Sequence, residues 1–184
     1  MDDQGMPESK REVPVEMLER EASSSPDPHV RGYSLYLLGA EQDASKKSLF
    51  LTSLRDPDKR VRGQAARALA GLGEDAVPDL VSLLQNRDWR IRYRAAEALG
   101  MSGSTNAGAA LIQALTDEKD HVRYMAAKSL GLLGVRSAVT PLIDRLSDEN
   151  EYVRRMAEES LGMIGGEEDE VGSGEYSRKR HQYP

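Results

Sequence analysis

Apolar residues recur along the chain with helical spacing, in short blocks separated by polar breaks. Val77, Leu80, Val81 and Leu84 fall at i, i+3, i+4 and i+7, the stripe of an amphipathic helix. Asn86, Arg87 and Asp88 interrupt it. A second stripe then runs from Trp89 to Gly100 through Ile91, Ala95, Ala96, Ala98 and Leu99. The pattern predicts two helices and a tight turn, with Asp88 as the N-cap of the second and Gly100 and Gly103 at its exit, where left-handed backbone is needed.

The whole phrase returns every 30 or 31 residues. Arg31, Arg62, Arg92, Arg123 and Arg154 share a register, each preceded by Val30, Val61, Ile91, Val122 or Val153. Seven residues further on stand Leu38, Leu69, Leu99, Leu130 and Leu161, each followed by a small residue. A fixed period of this size predicts an all-α solenoid, in which each two-helix unit buries its apolar face against its neighbours. About five repeats are expected, near 13–40, 44–73, 75–103, 106–134 and 137–165. Other first helices carry Phe50, Leu51 and Leu54; Leu111, Ile112 and Leu115; Leu142, Ile143 and Leu146. The earliest spans roughly 13–21 and ends at the breaker run Ser23, Ser24, Ser25, Pro26. Pro78 and Pro141 lie near the starts of first helices, and Pro28 and Pro57 are expected to open second helices. Glu158 stands where three earlier repeats have Ala66, Ala96 and Ala127. An unpartnered carboxylate is costly to bury, so the last unit is read as a polar terminal cap. Residues 1–12 are read as flexible, and 166–184, an acidic block followed by a basic one, as a disordered charged tail.

Composition narrows the function. Charged residues make up 30% and hydrophobic residues 39%, a balance suited to an elongated repeat protein with much exposed surface. The net charge of −6 argues against chain-wide affinity for nucleic acid. There is no cysteine, hence no disulfide, thiolate metal site or cysteine nucleophile. No leader-like or membrane-spanning apolar stretch is visible. The expectation is a cytoplasmic protein without a cofactor.

The segment DWRIRYRAAEALGMSG at 88–103, with its counterparts, resembles the HEAT repeat, and more narrowly the short HEAT-like subgroup named after phycobilisome lyase subunits. The resemblance covers about residues 13–165. It implies a right-handed α–α superhelix and, for most members, a scaffold or adaptor role. It also implies a ladder of turn aspartates and helix arginines, pairing Asp56 with Arg62, Asp88 with Arg92, Asp117 with Arg123 and Asp148 with Arg154; Asp88 sits two residues later in register than the others. The guanidinium fork suits a carboxylate bidentately. Deoxyhypusine hydroxylase, an enzyme similar to this fold, needs His-Glu pairs for two irons, and the chain has no such dipeptide. His29 and His121 share a register three repeats apart, too far to share a metal, and His181 lies in the tail. No phosphate loop precedes a helix and no nucleophile elbow occurs. The chain is read as non-enzymatic.

Positions of the second helices not used for packing collect unusual chemistry. They hold the aromatics Tyr33, Tyr36, Trp89, Tyr93, Tyr124 and Tyr152, and seven basic side chains (Lys59, Arg60, Arg67, Arg90, Arg94, Lys128, Arg155) against four acidic ones (Glu97, Asp120, Glu151, Glu159). Met125 and Met156 fall there too. The face is basic on an acidic chain, and Tyr, Trp, Arg and Met are the residue types of binding hot spots. The candidate partner-binding residues are therefore Tyr33, Tyr36, Arg60, Arg67, Trp89, Arg90, Tyr93, Arg94, Tyr124, Met125, Lys128, Tyr152 and Arg155. The plainer reading is that the rings cover seams between repeats and the bases pair with nearby acids. Three functions follow: a non-catalytic protein–protein scaffold holding an acidic or mixed segment; a phycobilin-lyase-like subunit acting on tetrapyrrole-bearing proteins; and nucleic-acid binding on the basic face, the weakest given the overall charge.

Overall fold

The computed structural model describes residues 13–165; the flanking segments, read above as a flexible N-terminus and a charged tail, lie outside the described residues. Among the described residues there are ten α-helices and no strand: α1 (Val15–Ser24), α2 (Pro28–Ala40), α3 (Lys47–Ser53), α4 (Lys59–Gly71), α5 (Val77–Leu83), α6 (Trp89–Met101), α7 (Gly108–Ala114), α8 (Asp120–Leu132), α9 (Val139–Arg145) and α10 (Glu151–Gly165). Even-numbered helices pack side by side in a continuous layer, α2 on α4 through to α8 on α10, and each odd-numbered helix lies on the even-numbered helix after it. This is the all-α solenoid that the period requires.

Local chemistry fixes the helix ends. The carboxylates of Asp27, Asp58 and Asp88 accept hydrogen bonds from the backbone N–H of His29, Arg60 and Arg90 at 2.8, 2.8 and 2.9 Å, satisfying donors that the first turn leaves free. Pro28 begins α2, but Pro57 stands in the turn before α4 rather than opening it, because Asp58 is the cap. The first helix runs on to Ser24. The hydroxyls of Ser23 and Ser24 donate to the carbonyls of Glu19 and Arg20 at 2.8 Å, so the serine run extends the helix instead of breaking it. Each of α3, α5, α7 and α9 is only one and a half to two turns long, and a 3-10 turn leads into it.

Two kinds of glycine are separated by the structure. Gly73, Gly103 and Gly134 have positive φ and carry the chain out of the second helices, and Gln42 takes that conformation in the first repeat. Gly100 is not an exit residue. It lies within α6, where an added Cβ would sit 2.9 Å from the backbone Cα of Ser129. Gly39 and Gly131 meet Ala68 and Ser160 as closely. These contacts bring the hydroxyls of Ser129 and Ser160 to the carbonyls of Ala96 and Ala127, each at 2.8 Å. Gly162, one repeat further, faces open space and Glu158 is half-buried, so nothing in the described chain stacks on α10.

The apolar register is filled as expected: Leu38, Leu69, Leu99, Leu130 and Leu161 are buried, as are Ala65, Ala66, Ala95, Ala96, Ala126, Ala127 and Ala157. Val30 is the exception among the residues before the arginines, 38% exposed.

The arginine ladder runs differently from the family expectation. Within a repeat the arginine holds backbone: one terminal nitrogen of Arg62, Arg123 and Arg154 donates to the carbonyls of Asp56, Asp117 and Asp148 at 2.7, 2.8 and 2.8 Å, and that of Arg92 to the carbonyl of Asn86 at 2.8 Å. The carboxylate comes from the next repeat. Arg31 Nε and Nη2 donate to Asp56 at 2.7 and 2.9 Å. Arg92 grips Asp117 at 2.6 and 2.7 Å, and Arg123 grips Asp148 at 2.8 and 2.9 Å. The pairings of Asp56 with Arg62, Asp88 with Arg92, Asp117 with Arg123 and Asp148 with Arg154 are thus corrected. Arg31, Arg92 and Arg123 each span a seam, because the side chain leaves its helix toward the following turn. Asp88 is a cap and no rung.

Burial alone would push the Asp56 and Asp148 carboxyls up. Hydrogen bonds from Arg31 and Arg123, from the backbone N–H of Asp58 and Asn150, and the guanidinium charges outweigh it and hold both below the ordinary range. A depressed folded-state pKa means stability that is complete above the unfolded value, near 3.9, and lost as pH falls below it. We expect acid unfolding to begin as pH drops below about 4, read by far-ultraviolet circular dichroism, and Asp148→Ala to cost about 3–5 kcal/mol at neutral pH because it strands buried Arg123. Gly100→Ala should cost about 1–3 kcal/mol in denaturant melts by forcing α6 from α8; an unchanged midpoint would contradict the close packing described.

Candidate partner-binding face

The position one after the repeat arginine faces the position two after it in the next repeat. A Cβ at Gly32 would lie 3.9 Å from Gln64, and one at Gly63 would lie 3.5 Å from the guanidinium of Arg94. The same register sets Tyr93 opposite Met125 and Tyr124 opposite Met156. Glycine thus leaves room for a long polar side chain in the first two seams, and tyrosine covers a methionine in the last two.

This register sorts the thirteen candidate residues. Met125 is 5% exposed, so the structure removes it from the surface: it fills the seam, as does Met156. Arg94 is mostly buried as well. It ion-pairs with Glu97 and donates to the carbonyl of Lys59 at 3.1 Å, which makes it a wedge between α4 and α6. Arg60 is exposed but tied to Asp58, with a nitrogen 3.2 Å from His29 Nε2. The hydrogen bonds from the Arg60 side chain and backbone N–H, with the guanidinium charge, hold the Asp58 carboxyl down to about 2. Arg67 is exposed and Lys128 half-buried. Tyr33 and Tyr36 are exposed and stack at 6.1 Å in the first repeat, far along the solenoid from the rest.

The remaining candidates converge. Tyr93, Tyr124, Tyr152 and Arg155 line one concavity of about 240 Å³ together with Asp120, His121 and Asn150. Tyr93 and Tyr124 pack their ring bodies against the core, while Tyr152 is 56% exposed. Trp89 stands beside it, its ring 5.0 Å from that of His121. Arg90 lies over Trp89 at 5.0 Å, Arg94 over Tyr93 at 5.3 Å and Arg155 over Tyr152 at 5.7 Å, within cation–π range. Burial pushes the Tyr93 phenol up, with the Glu97 charge adding to it. The Asp120 carboxyl is held down, first by its hydrogen bond with His121, and it also accepts from the Asn150 amide.

The basic excess is smaller than the sequence count implies. Arg60, Arg90, Arg94 and Arg155 each lie near a carboxylate, of Asp58, Asp88, Glu97 and Glu159. Two of these acids are helix caps that the face count left out. Asn150 was not among the candidates at all; its role as a cap of α10, accepting from Tyr152 N–H at 2.8 Å, brings it to the concavity, and no sequence signal marks it as a site residue. Among the described residues no group of three or more acidic or imidazole side chains is placed to hold a metal, and no helix is long and apolar enough to cross a membrane.

No curated protein matches the chain in sequence. Among solved structures it is similar to the complex of CpcE and CpcF of phycocyanin lyase from Nostoc sp. PCC7120, with a TM-score of 0.63 and 23% identity over 90% of this chain and 70% of that one. It is also similar to human deoxyhypusine hydroxylase, with a TM-score of 0.52 and 19% identity over 83% and 74%. A designed armadillo repeat protein in complex with the peptide (KR)4 gives a TM-score of 0.51 and 18% identity over 82% of each chain. At these identities the likeness is one of fold. The model of HEAT repeats matches residues 48–122 and 108–171. With that match over more than half its length, and the period, helix pairs and seam-spanning arginines described above, the chain belongs to the HEAT-repeat family.

Proposed function

We propose that the protein is a non-catalytic interaction scaffold that holds a segment of another protein across α6, α8 and α10. One observation carries the reading: three tyrosines, a histidine and an arginine from three successive repeats line a single concavity, with Trp89 at its edge. Rigid rings with polar tips anchor a partner at low conformational cost. Arg155 and Arg90 favour an acidic or mixed segment, while the carboxylates beside them disfavour a long polyanion such as nucleic acid.

A second reading has one supporting observation. The fold is similar to that of the phycocyanin lyase complex, and a ring-lined concavity beside Arg155 suits the stacking and carboxylate pairing that a linear tetrapyrrole needs. Under it, mixing with a bilin changes the visible absorbance; a spectrum equal to the sum of its parts discards it.

The scaffold reading is tested by affinity capture from native lysate with mass spectrometry. Wild type is compared with Tyr152→Ala/Arg155→Ala, two exposed side chains, and with Tyr33→Ala/Tyr36→Ala as a distant control. A partner lost only from the first variant, its affinity then measured as about tenfold to thirtyfold weaker, is the expected result. Equal capture by all three proteins would sink it, and loss only from the control would move the binding face to the first repeat.

A further inference from the structure

The rung between the second and third repeats is missing its acid. Asp56, Asp117 and Asp148 occupy one position in their turns, and the third repeat has Asn86 there. Each aspartate does two things. Its Oδ1 accepts from the backbone N–H two residues on, at 2.8, 2.8 and 3.0 Å, and its two oxygens together take the fork of the preceding repeat's arginine. Asn86 keeps the first role, its Oδ1 accepting from Asp88 N–H at 2.9 Å. It cannot keep the second. Where aspartate has Oδ2, asparagine has an NH2 group, a donor that offers nothing to a guanidinium.

Arg62 is therefore left incomplete. Its terminal nitrogen holds the carbonyls of Asp56 and Pro57 at 2.7 and 2.8 Å, but its Nε is buried without any hydrogen-bond partner. Unsatisfied buried donors are uncommon in folded proteins and mark a group awaiting one. The space beside it is open: a cleft of about 420 Å³ is lined by Arg62, Arg55 and Arg90. Two acids also border it, and both are engaged. Asp56 is held by Arg31 through both oxygens, and Asp88 caps α6 and lies 3.5 Å from Arg90. The same seam, α4 on α6, is the most sparsely packed of those between second helices.

We propose that this cleft is a carboxylate-binding site, in which a glutamate or aspartate side chain of a partner protein takes the place of the missing rung on Arg62. The carboxylate class follows from the other seams. Three copies of the same arginine are filled by a carboxylate accepting from Nε and Nη2, and Arg62 is the copy for which the next repeat, with Asn86 at that position, offers no carboxylate. Arg55 and Arg90 flank the fork and add favourable charge for an incoming anion. The site lies at the turn edge and is distinct from the tyrosine-lined concavity on the second helices. A ligand there supplies the rung that this seam lacks at its turn edge, beside the links that Arg94 and Lys47 already make across it, so binding and the rigidity of the α4–α6 junction are coupled.

The test follows the Arg62 Nε–H resonance by NMR in the full chain, assigned by its loss in Arg62→Lys. The probes are acetate, a blocked Glu-containing tripeptide and inorganic phosphate, at constant ionic strength. A saturable downfield shift with acetate and the tripeptide is expected. Asn86→Asp should place the resonance downfield from the start, weaken both probes by about tenfold or more, and raise Tm by about 2–4 °C. If Asn86→Asp folds poorly, Arg62→Gln serves instead: the shifts that acetate induces in the neighbouring Arg90 Nε–H should disappear. Tyr152→Ala/Arg155→Ala should leave the titration unchanged, which keeps this site separable from the binding face proposed above. No shift on titration, an equal response in Asn86→Asp, or phosphate binding with carboxylate inert would each overturn the assignment, the last by making the site one for phosphoryl groups.

Discussion

The register of this solenoid rests on the repeat arginines, of which Arg31, Arg92 and Arg123 are each satisfied from two sides. Nη1 closes the turn of its own repeat by binding backbone carbonyls, and Nε with Nη2 reaches the aspartate of the next. A guanidinium is suited to this because its five donors are fixed in a plane and it stays charged at any accessible pH. A lysine at the same place could not meet three acceptors in two directions. The pairing also sets geometry: an aspartate that binds both its own turn and the previous arginine fixes the distance and rotation between repeats. Buried ion pairs add little net stability against apolar replacements, and here the core of leucines and alanines already supplies the driving force. The contribution of the ladder is register, since a slipped stack would leave both partners largely buried and unpaired.

Close helix approach supplies the complementary constraint. Gly39, Gly100 and Gly131 remove the Cβ at the point of contact, and the residue opposite is alanine in one seam and serine in two others. Serine is tolerated there because its hydroxyl reaches a carbonyl of the preceding helix. An unpaired hydroxyl in that position would carry a desolvation penalty. Ladder and glycine contacts act at different places, one at the turn and the other along the helix axes. Together they determine how each second helix is laid on the last, and hence which side chains remain outside.

Much of the fold was legible because it is periodic. A residue repeated five times in register carries its own error check, and the buried leucines and alanines sit where the period puts them. What failed were inferences that needed direction as well as register. The resemblance implies a ladder within repeats; the side chains of Arg31, Arg92 and Arg123 point forward across the seam instead. Single-helix periodicity puts Met125 on the surface, because it cannot see the neighbouring helices that bury it. Arg94 looked like a free cation because the glycine opposite, Gly63, belongs to the previous repeat. The two-residue offset of Asp88 is visible in the sequence, and it marks Asn86, not Asp88, as the counterpart of the ladder acids.

Departures from the repeat are where this protein becomes individual. The family pattern explains the stack but is silent on why tyrosines follow the arginine in the third and fourth repeats and glycines in the first two. That switch changes the seam from one filled by a long polar side chain to one roofed by aromatic rings. Tyr93 and Tyr124 pack against the core cluster to which Met125 and Met156 belong. The concavity beside Tyr152 is therefore a by-product of packing that leaves phenol edges at the surface. The seam with the buried arginine wedge is the same one that lacks its acid. Arg94 there donates to a carbonyl of α4, bridging the helices on the face while Arg62 leaves them unbridged at the turn. The junction between the second and third repeats is thus held on the face by Arg94 and on the first-helix side by Lys47, which pairs with Asp79 at 2.8 Å, while the turn edge lacks its rung.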